Sequence, residues 1–333
     1  MYRFAASQNE NNFKYMNKLA VIALGGNALL RGTQVGTIEE QEQNTYDTLK
    51  NVVYLLKEGY NIIITHGNGP QVGNILMRND AGEQMYQIAQ MPIDICVADS
   101  QGGIGYMIER ILRNVLIEEG IKRNVVTLVT QVVVDKNDPA FKNPTKRVGK
   151  IYTKEDADKL AADKGWIFKE EVKAHGGWRR VVPSPKPIDF MNADAVETLA
   201  RAGNIVITVG GGGVPVYIDE KNHVRPAEAV IDKDLASAMV GRIVNADEFY
   251  ILTDVSFVYI NYKKENEQKL EFLDYADATK YLNMGMFGEG SMAPKIKACL
   301  NFVEGGGKMA VITEATLLPD TNYGTKITMK YEN

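Results

Sequence analysis

The chain has 333 residues, 45% of them hydrophobic and 24% charged, with a net charge of −4. This is globular composition with room for a sizeable core. It carries no excess of basic charge for nucleic acid or an anionic membrane, and no apolar run near the roughly 20 residues of a membrane helix. From the amino end, the first 17 residues are polar, lack the apolar stretch of a secretory signal and read as a flexible extension; Arg3, Lys14 and few acids leave an organelle presequence as the alternative, and Met16 is a candidate true start. Six short apolar runs are predicted strands: 19–26 (LAVIALGG), 60–67 (YNIIITHG), 124–135 (NVVTLVTQVVVD), 203–211 (GNIVITVGG), 248–255 (EFYILTDV) and 308–314 (KMAVITE). Between them, 39–58, 98–119, 192–202, 232–242 and 292–303 are predicted helices. Strands apolar on both faces and separated by helices imply a parallel sheet covered on both sides, with ligands at the carboxyl ends of its strands.

Residues 136–190 break this rhythm. They hold Pro139, Pro144, Pro183, Pro185 and Pro187, a charged helical segment (153–164) and two short strand candidates (166–172 and 178–182). A long excursion with its own secondary structure reads as an inserted subdomain that can act as a lid. Cys96 and Cys299 stand alone in the sequence, without a disulfide framework, and point to a reducing, cytoplasmic setting.

Three glycine clusters follow predicted strands: LGGNAL (24–29), THGNGPQVGN (65–74) and the four-glycine run of VITVGGGGVPV (206–216). One cluster alone is as well explained by a turn. Three at equivalent strand ends point to backbone N–H groups gathered around an anion, with glycine allowing close approach. For the run Gly210–Gly213, a turn and a closely approaching phosphate both stand as explanations. None is a GxxxxGK[ST] loop or a GxGxxG opening a helix. GGIG at 102–105 lies in a helical stretch and reads as close helix packing.

The glycine loops contain no lysine, so a phosphate must find its positive charge elsewhere. Lys233 sits between Asp232 and Asp234 at a predicted helix start, where an aspartate is an ordinary cap but a lysine opposes the helix dipole. Lys295 is similarly placed after GMFGEGSMAP, with Ser291 a candidate cap, Lys297 solvated, and Met284, Met286 and Met292 read as packing or flap residues. A third basic stretch, FKNPTKRVGK (141–150), brings Lys142, Lys146, Arg147 and Lys150 from the insert. No Ser/His/Asp or Cys/His constellation suggests a covalent intermediate. His66, His175 and His223 lack metal-ligand spacing, and His66 reads equally as a substrate neighbour or a structural residue.

ALGGNAL, HGNGPQVG, NPTK, GGGGVPV, AVIDKDLASA, LTDV and GSMAPK occur in that order. From about Leu19 to its end, the chain resembles the carbamate kinases of the amino acid kinase family. The resemblance implies a three-layer αβα sandwich on a mainly parallel sheet of about eight strands, with a small inserted lid. It implies a homodimer and MgATP/ADP as nucleotide. The implied reaction is reversible phosphoryl transfer between ADP and carbamoyl phosphate, usually toward ATP, with carbamate decomposing to ammonia and carbon dioxide. The implied division is an extension (1–17), a carbamoyl phosphate lobe (18–225) carrying the insert (136–190), and a nucleotide lobe (226–333).

By the same resemblance, Gly25, Gly26 and Asn27 hold the transferring phosphoryl group, and Asn68 and Gly69 the carbamoyl end. Lys233 and Lys295 neutralise the phosphates, Asp234 positions both lysines, and Lys146 enters from the insert. Gly210, Gly211, Gly212, Gly213, Val214 and Pro215, with Thr253, Asp254, Val255 and Lys295, border the nucleotide. No protein ligand to Mg²⁺ is implied, the ion being held by nucleotide phosphates and water. One departure stands out: NPTK continues here as Arg147-Val148-Gly149-Lys150, where many relatives read Pro-Ile-Gly, and this bears on how the lid sits. Phosphoryl transfer needs positioning and charge neutralisation more than covalent help, and these residues supply both. The rival readings are another acyl-phosphate-forming kinase of the family, the same chemistry run toward carbamoyl phosphate, and a nucleotide-binding module without catalysis.

Overall fold

Leu19–Leu24 is buried at every position. Side chains alternate across a strand, so a strand with no exposed residue must be covered on both faces. The structure, a computed structural model, describes residues 17–30, 34–171, 176–288 and 290–330, with Asn27 described by its backbone alone. Of the expected extension 1–17, only Asn17 falls within the described residues, and His175 lies outside them.

In chain order the first elements are β1 (Leu19–Leu24), α1 (Gly26–Leu29), α2 (Ile38–Lys57), β2 (Asn61–His66), α3 (Gly69–Tyr86), α4 (Ile93–Glu118), β3 (Val125–Thr127) and β4 (Gln131–Val134). The middle of the chain gives β5 (Lys146–Tyr152), α5 (Lys154–Lys164), β6 (Ile167–Glu170), β7 (Trp178–Val182), β8 (Pro187–Phe190), α6 (Ala193–Arg201), β9 (Ile205–Ile207), β10 (Val214–Ile218) and β11 (Val224–Pro226). The last third gives α7 (Lys233–Ile243), β12 (Glu248–Thr253), β13 (Val258–Ile260), β14 (Gln268–Leu270), β15 (Phe272–Asp274), α8 (Tyr275–Asn283), α9 (Met292–Glu304), β16 (Met309–Glu314) and β17 (Thr325–Thr328).

Among the described residues, eight strands form one sheet in the order β15-β17-β16-β12-β1-β2-β9-β3. Its neighbours are parallel except for the β16–β17 pair. Ala20, Ile22 and Leu24 pack with α2 and α4 on one face; Leu19, Val21 and Ala23 pack with α6, α7 and α9 on the other. These are the three layers of an αβα sandwich. The sheet draws strands from both halves of the chain, with β1 paired to β2 on one side and to β12 on the other.

The expected strand 124–135 is two strands in two sheets. β3 ends at Thr127 in the main sheet, whereas β4 joins a second sheet of order β11-β10-β4-β8. The break is held by Gln101 of α4, whose side chain bonds both the N–H and the carbonyl of Thr130 at 2.9 and 3.1 Å. Helix α4 also starts earlier than expected, at Ile93. Within α4, Gly105 is required by packing, since a Cβ there would stand 2.3 Å from Thr127 Cγ2.

The insert forms its own three-stranded sheet, β5-β7-β6, with α5 alongside. It rests on α3: Tyr152 Oη donates to Asp80 at 3.1 Å, Lys164 pairs with Glu83 at 2.5 Å, and Gly149 meets Gly73. Among the described residues, no helix is long and apolar enough to cross a membrane.

Candidate active site

The strands β1, β2 and β9 are neighbours in the sheet, so the loops after them open side by side. The loop after β1 leans on β12: Gly25 N donates to Leu252 O at 2.9 Å. A Cβ on Gly25 would lie 2.5 Å from that oxygen, which explains the glycine by backbone contact. A Cβ on Gly26 or Gly69 would meet open space. The side chain of Lys233 passes between the first two loops, with Cδ 3.4 Å and Gly26 N 3.9 Å from where a Gly67 Cβ would be.

Lys233 opens α7, and Asp232 is the residue that caps it, accepting from the N–H groups of Asp234 and Leu235 at 3.0 and 3.3 Å. Asp234 therefore has a different task from capping. Its Oδ1 accepts from Lys233 Nζ at 2.5 Å and its Oδ2 from Lys295 Nζ at 2.9 Å. Asp234 is 5% exposed. Burial alone would raise its pKa, but Lys233 and Lys295 outweigh burial and bring it down to about 2. Burial, joined by the charge of Lys295, pulls the Lys233 ammonium below the ordinary lysine range despite Asp234. One carboxylate between two ammonium groups leaves a surplus positive charge, in a poorly solvated place, for an anion to neutralise.

The four-glycine run is explained by the protein's own packing. A Cβ on Gly210 would lie 2.3 Å from His66 Nε2, and one on Gly211 2.1 Å from Asn68 Nδ2. On Gly212 it would meet Ile231 O at 2.5 Å, and on Gly213 Val132 Cγ2 at 2.1 Å. Gly211, Gly212 and Gly213 also have positive φ, which glycine adopts without strain. Val209, just before them, takes φ 50, a strained value for a β-branched residue. His66 is buried, and Nδ1 meets Gly67 O at 2.9 Å. Burial, assisted by the charge of Lys233 and opposed by the Gly67 carbonyl, lowers its pKa to about 4, so the ring is neutral at physiological pH.

Thr253, Asp254, Val255 and Lys295 line a cavity of about 500 Å³, together with Phe257, Tyr259, Tyr262, Met286 and Met292. It is apolar and aromatic at one part of its wall and cationic at Lys295, which suits a planar base linked to phosphates. Asp234 thus ties this cavity, through Lys295, to the glycine loops, through Lys233.

A model of the amino acid kinase family matches residues 18–314. The chain belongs to the amino acid kinase family. Within the family, it is 48% identical to the carbamate kinase of Pyrococcus furiosus over 89% of this chain and 94% of that one. It is 50% identical to the carbamate kinase of Thermococcus kodakarensis over 89% and 93%. The solved structure of carbamate kinase from Giardia lamblia bound to AMP-PNP superposes with a TM-score of 0.87 at 40% identity, covering 94% of this chain and 98% of that one.

On this amino acid kinase scaffold, the structure groups the expected residues into two sets. Gly25, Gly26, Asn68, Gly69, Lys233, Asp234 and Lys295 gather around the ends of β1 and β2, and Asn27 enters through the backbone of α1. Thr253, Asp254 and Val255 line the cavity. Residues Gly210 to Pro215 do not line it. The four glycines pack on His66, Asn68, Ile231 and Val132 instead, because the run leads from β9 beside β2 into β10 of the second sheet. Lys146, at the start of β5, reaches Asp232 at 3.3 Å, so the insert touches the cap of α7.

Arg147 and Lys150, the charged residues that follow Lys146, are exposed within the insert. Arg147 pairs with Glu171 at 3.0 Å, and Lys150 Nζ lies 4.9 Å from the centre of the Tyr152 ring. Ser291 sits at the head of α9 but makes no side-chain cap bond. Met286 and Met292 prove to be cavity residues; a methionine in a glycine-rich loop gives no sign of which way it points. Ser100, which bonds Asn68, gave no signal either, being a lone serine within a helix.

Proposed function

We propose that the chain is a carbamate kinase that transfers a phosphoryl group between carbamoyl phosphate and ADP. The observation that carries this reading is the grip of Asp234 on Lys233 and Lys295, which places one ammonium group at the glycine loops and the other at the cavity. In the ATP-forming direction, a terminal oxygen of ADP forms a bond to the phosphorus of carbamoyl phosphate. The bond from phosphorus to the carbamoyl oxygen breaks, and carbamate leaves with its electron pair. It then decomposes to ammonia and carbon dioxide. Negative charge spreads over the transferring oxygens, and Lys233 and Lys295 meet it already oriented, because Asp234 fixes both. The N–H groups of Gly26 and Gly69, in the loops after β1 and β2, face the same anion, and neutral His66 adds no competing proton there.

Thr253 to Val255 and the aromatic wall receive the nucleotide. The run Gly210–Gly213 serves the carbamoyl end through its packing on Asn68. Lys146 brings positive charge from the insert, which acts as a lid over the site. Asp232 and Asp234 are engaged by lysines and backbone N–H groups, so Mg²⁺ would be held by the phosphates of the nucleotide and by water, and would screen the phosphate charge. The four strands β1, β2, β9 and β3 carry the carbamoyl phosphate side and β12, β16, β17 and β15 the nucleotide side.

The assembly is a homodimer: α3, the segment after it and α4 expose Met77, Met85, Tyr86, Ile88, Ile95 and Tyr106, apolar side chains that association would cover. The unpaired, buried Cys96 and Cys299 suit the cytoplasm. ATP formation from MgADP and carbamoyl phosphate tests the reading; a chain that binds ADP but forms no ATP would favour a nucleotide-binding module instead.

A further inference from the structure

Ser100 lies on α4 behind the site, 2% exposed, and its neighbour Asn68 is 5% exposed. Ser100 Oγ stands 2.6 Å from Val97 O and 2.8 Å from Asn68 Nδ2. A carbonyl oxygen only accepts, and a hydroxyl has one proton to give. The serine proton therefore goes to Val97 O, and the oxygen of Ser100 must accept from Asn68. The end of the Asn68 amide that faces Ser100 is thus its NH₂ group, on chemical grounds that do not depend on telling nitrogen from oxygen by position. The other end, Oδ1, takes no hydrogen bond from any described residue, and it is not among the sealed polar atoms of the protein. It is an acceptor held ready in a nearly buried loop, where an unmet acceptor is costly.

Resting on the carbamoyl phosphate reading above, we propose that Ser100 determines specificity: it locks the Asn68 amide so that Oδ1 accepts a hydrogen bond from the amino group of the carbamoyl moiety. Carbamoyl phosphate and acetyl phosphate have nearly the same shape and the same phosphate. They differ at one position, NH₂ against CH₃, and only the first can donate. An acceptor fixed opposite that position favours the carbamoyl compound and is left unpaired by the acetyl one. An amide free to turn over would present either end and discriminate less. Gly211 completes the device, since any Cβ there would occupy the space of the amide, 2.1 Å from Nδ2 and 2.8 Å from Oδ1.

The test compares two constants in the full-length protein with MgADP: the KM for carbamoyl phosphate and the inhibition constant of acetyl phosphate competing with it. Ser100→Ala should raise the first at least about tenfold and move the second by less than about twofold, the scale of one oriented hydrogen bond. Ser100→Thr, which keeps the hydroxyl, should restore the ratio. Should Ser100→Ala fail to fold, Ser100→Cys replaces the oxygen with a weak acceptor of similar size and gives the same comparison. A KM that stays put, or two constants that rise together as loosened packing would make them, overturns the proposal. If the unaltered chain makes no ATP from carbamoyl phosphate, the functional reading itself fails, a result reached before any variant is made.

Discussion

Gly211 lies against the amide of Asn68: a Cβ there would stand 2.1 Å from Nδ2 and 2.3 Å from Cγ. The glycine is needed by the neighbouring loop, with a φ of 66 adding a second reason. Gly211→Ala should therefore displace Asn68, cut kcat/KM for carbamoyl phosphate at least about tenfold and lower Tm, while ADP affinity stays within about twofold. Calorimetric titration of ADP beside steady-state kinetics separates the two sites. Weakened ADP binding with normal use of carbamoyl phosphate would put the run at the nucleotide after all. Gly212→Ala is a poorer probe, because φ 95 and the Ile231 carbonyl at 2.5 Å destabilise it with or without a ligand.

Lys233→Ala and Lys295→Ala should each reduce turnover at least about a hundredfold, the scale for losing one preoriented charge partner. Both variants also leave a nearly buried carboxylate oxygen of Asp234 without its ammonium, so each should melt earlier than the unaltered chain. The KM for ADP should rise with Lys295→Ala, since Lys295 lines the cavity, and change little with Lys233→Ala. Rates near the unaltered value in either variant would show that the lysines are structural.

Asp234→Asn should be as slow as either lysine variant, because an amide offers one acceptor where two ammonium groups need one each. The helix cap remains, being supplied by Asp232. Circular dichroism should show α7 intact within an unchanged helical signal, and a broad loss of helix would mean that Asp234 caps after all.

His66 adds a pH dependence. Its folded-state pKa is lowered from 6.5 to about 4, chiefly by burial. The folded protein then resists protonation that the unfolded chain accepts. Stability is fully present above pH 6.5 and falls as pH drops toward about 4, by about 3 kcal/mol in all. His66→Asn, which keeps a donor near the position of Nδ1, should flatten that decline in denaturant titrations between about pH 7 and 4.5. An equally steep decline in the variant would assign it to other groups.

Much of the scaffold was legible in the sequence because the centres of β1, β2, β12 and β16 are covered on both faces, which gives each a continuous apolar stretch such as Ile62 to Ile64 or Phe249 to Leu252. The break between β3 and β4 was hidden because Leu128 and the exposed Val129 continue the apolar sequence, and the turn is held from outside by Gln101. Helix α3 was missed because it buries little of itself, Val72 and Gly73, and therefore has no apolar stripe to read. The lysines were legible because a cation at a helix start opposes the dipole and needs an anion to explain it. The partner of those lysines was legible too, but not the division of labour, with Asp232 as the cap and Asp234 as the clamp. The glycine run was conspicuous, yet its reason lies in His66 and Asn68 on another strand's loop, which no local pattern reveals.

ATP formation by the purified chain, given MgADP and, separately, carbamoyl phosphate, acetyl phosphate and N-acetylglutamyl phosphate, compares the three donors. The expected result is rapid ATP formation from carbamoyl phosphate and far slower formation from the other two. Equal or faster turnover with either alternative donor would contradict it.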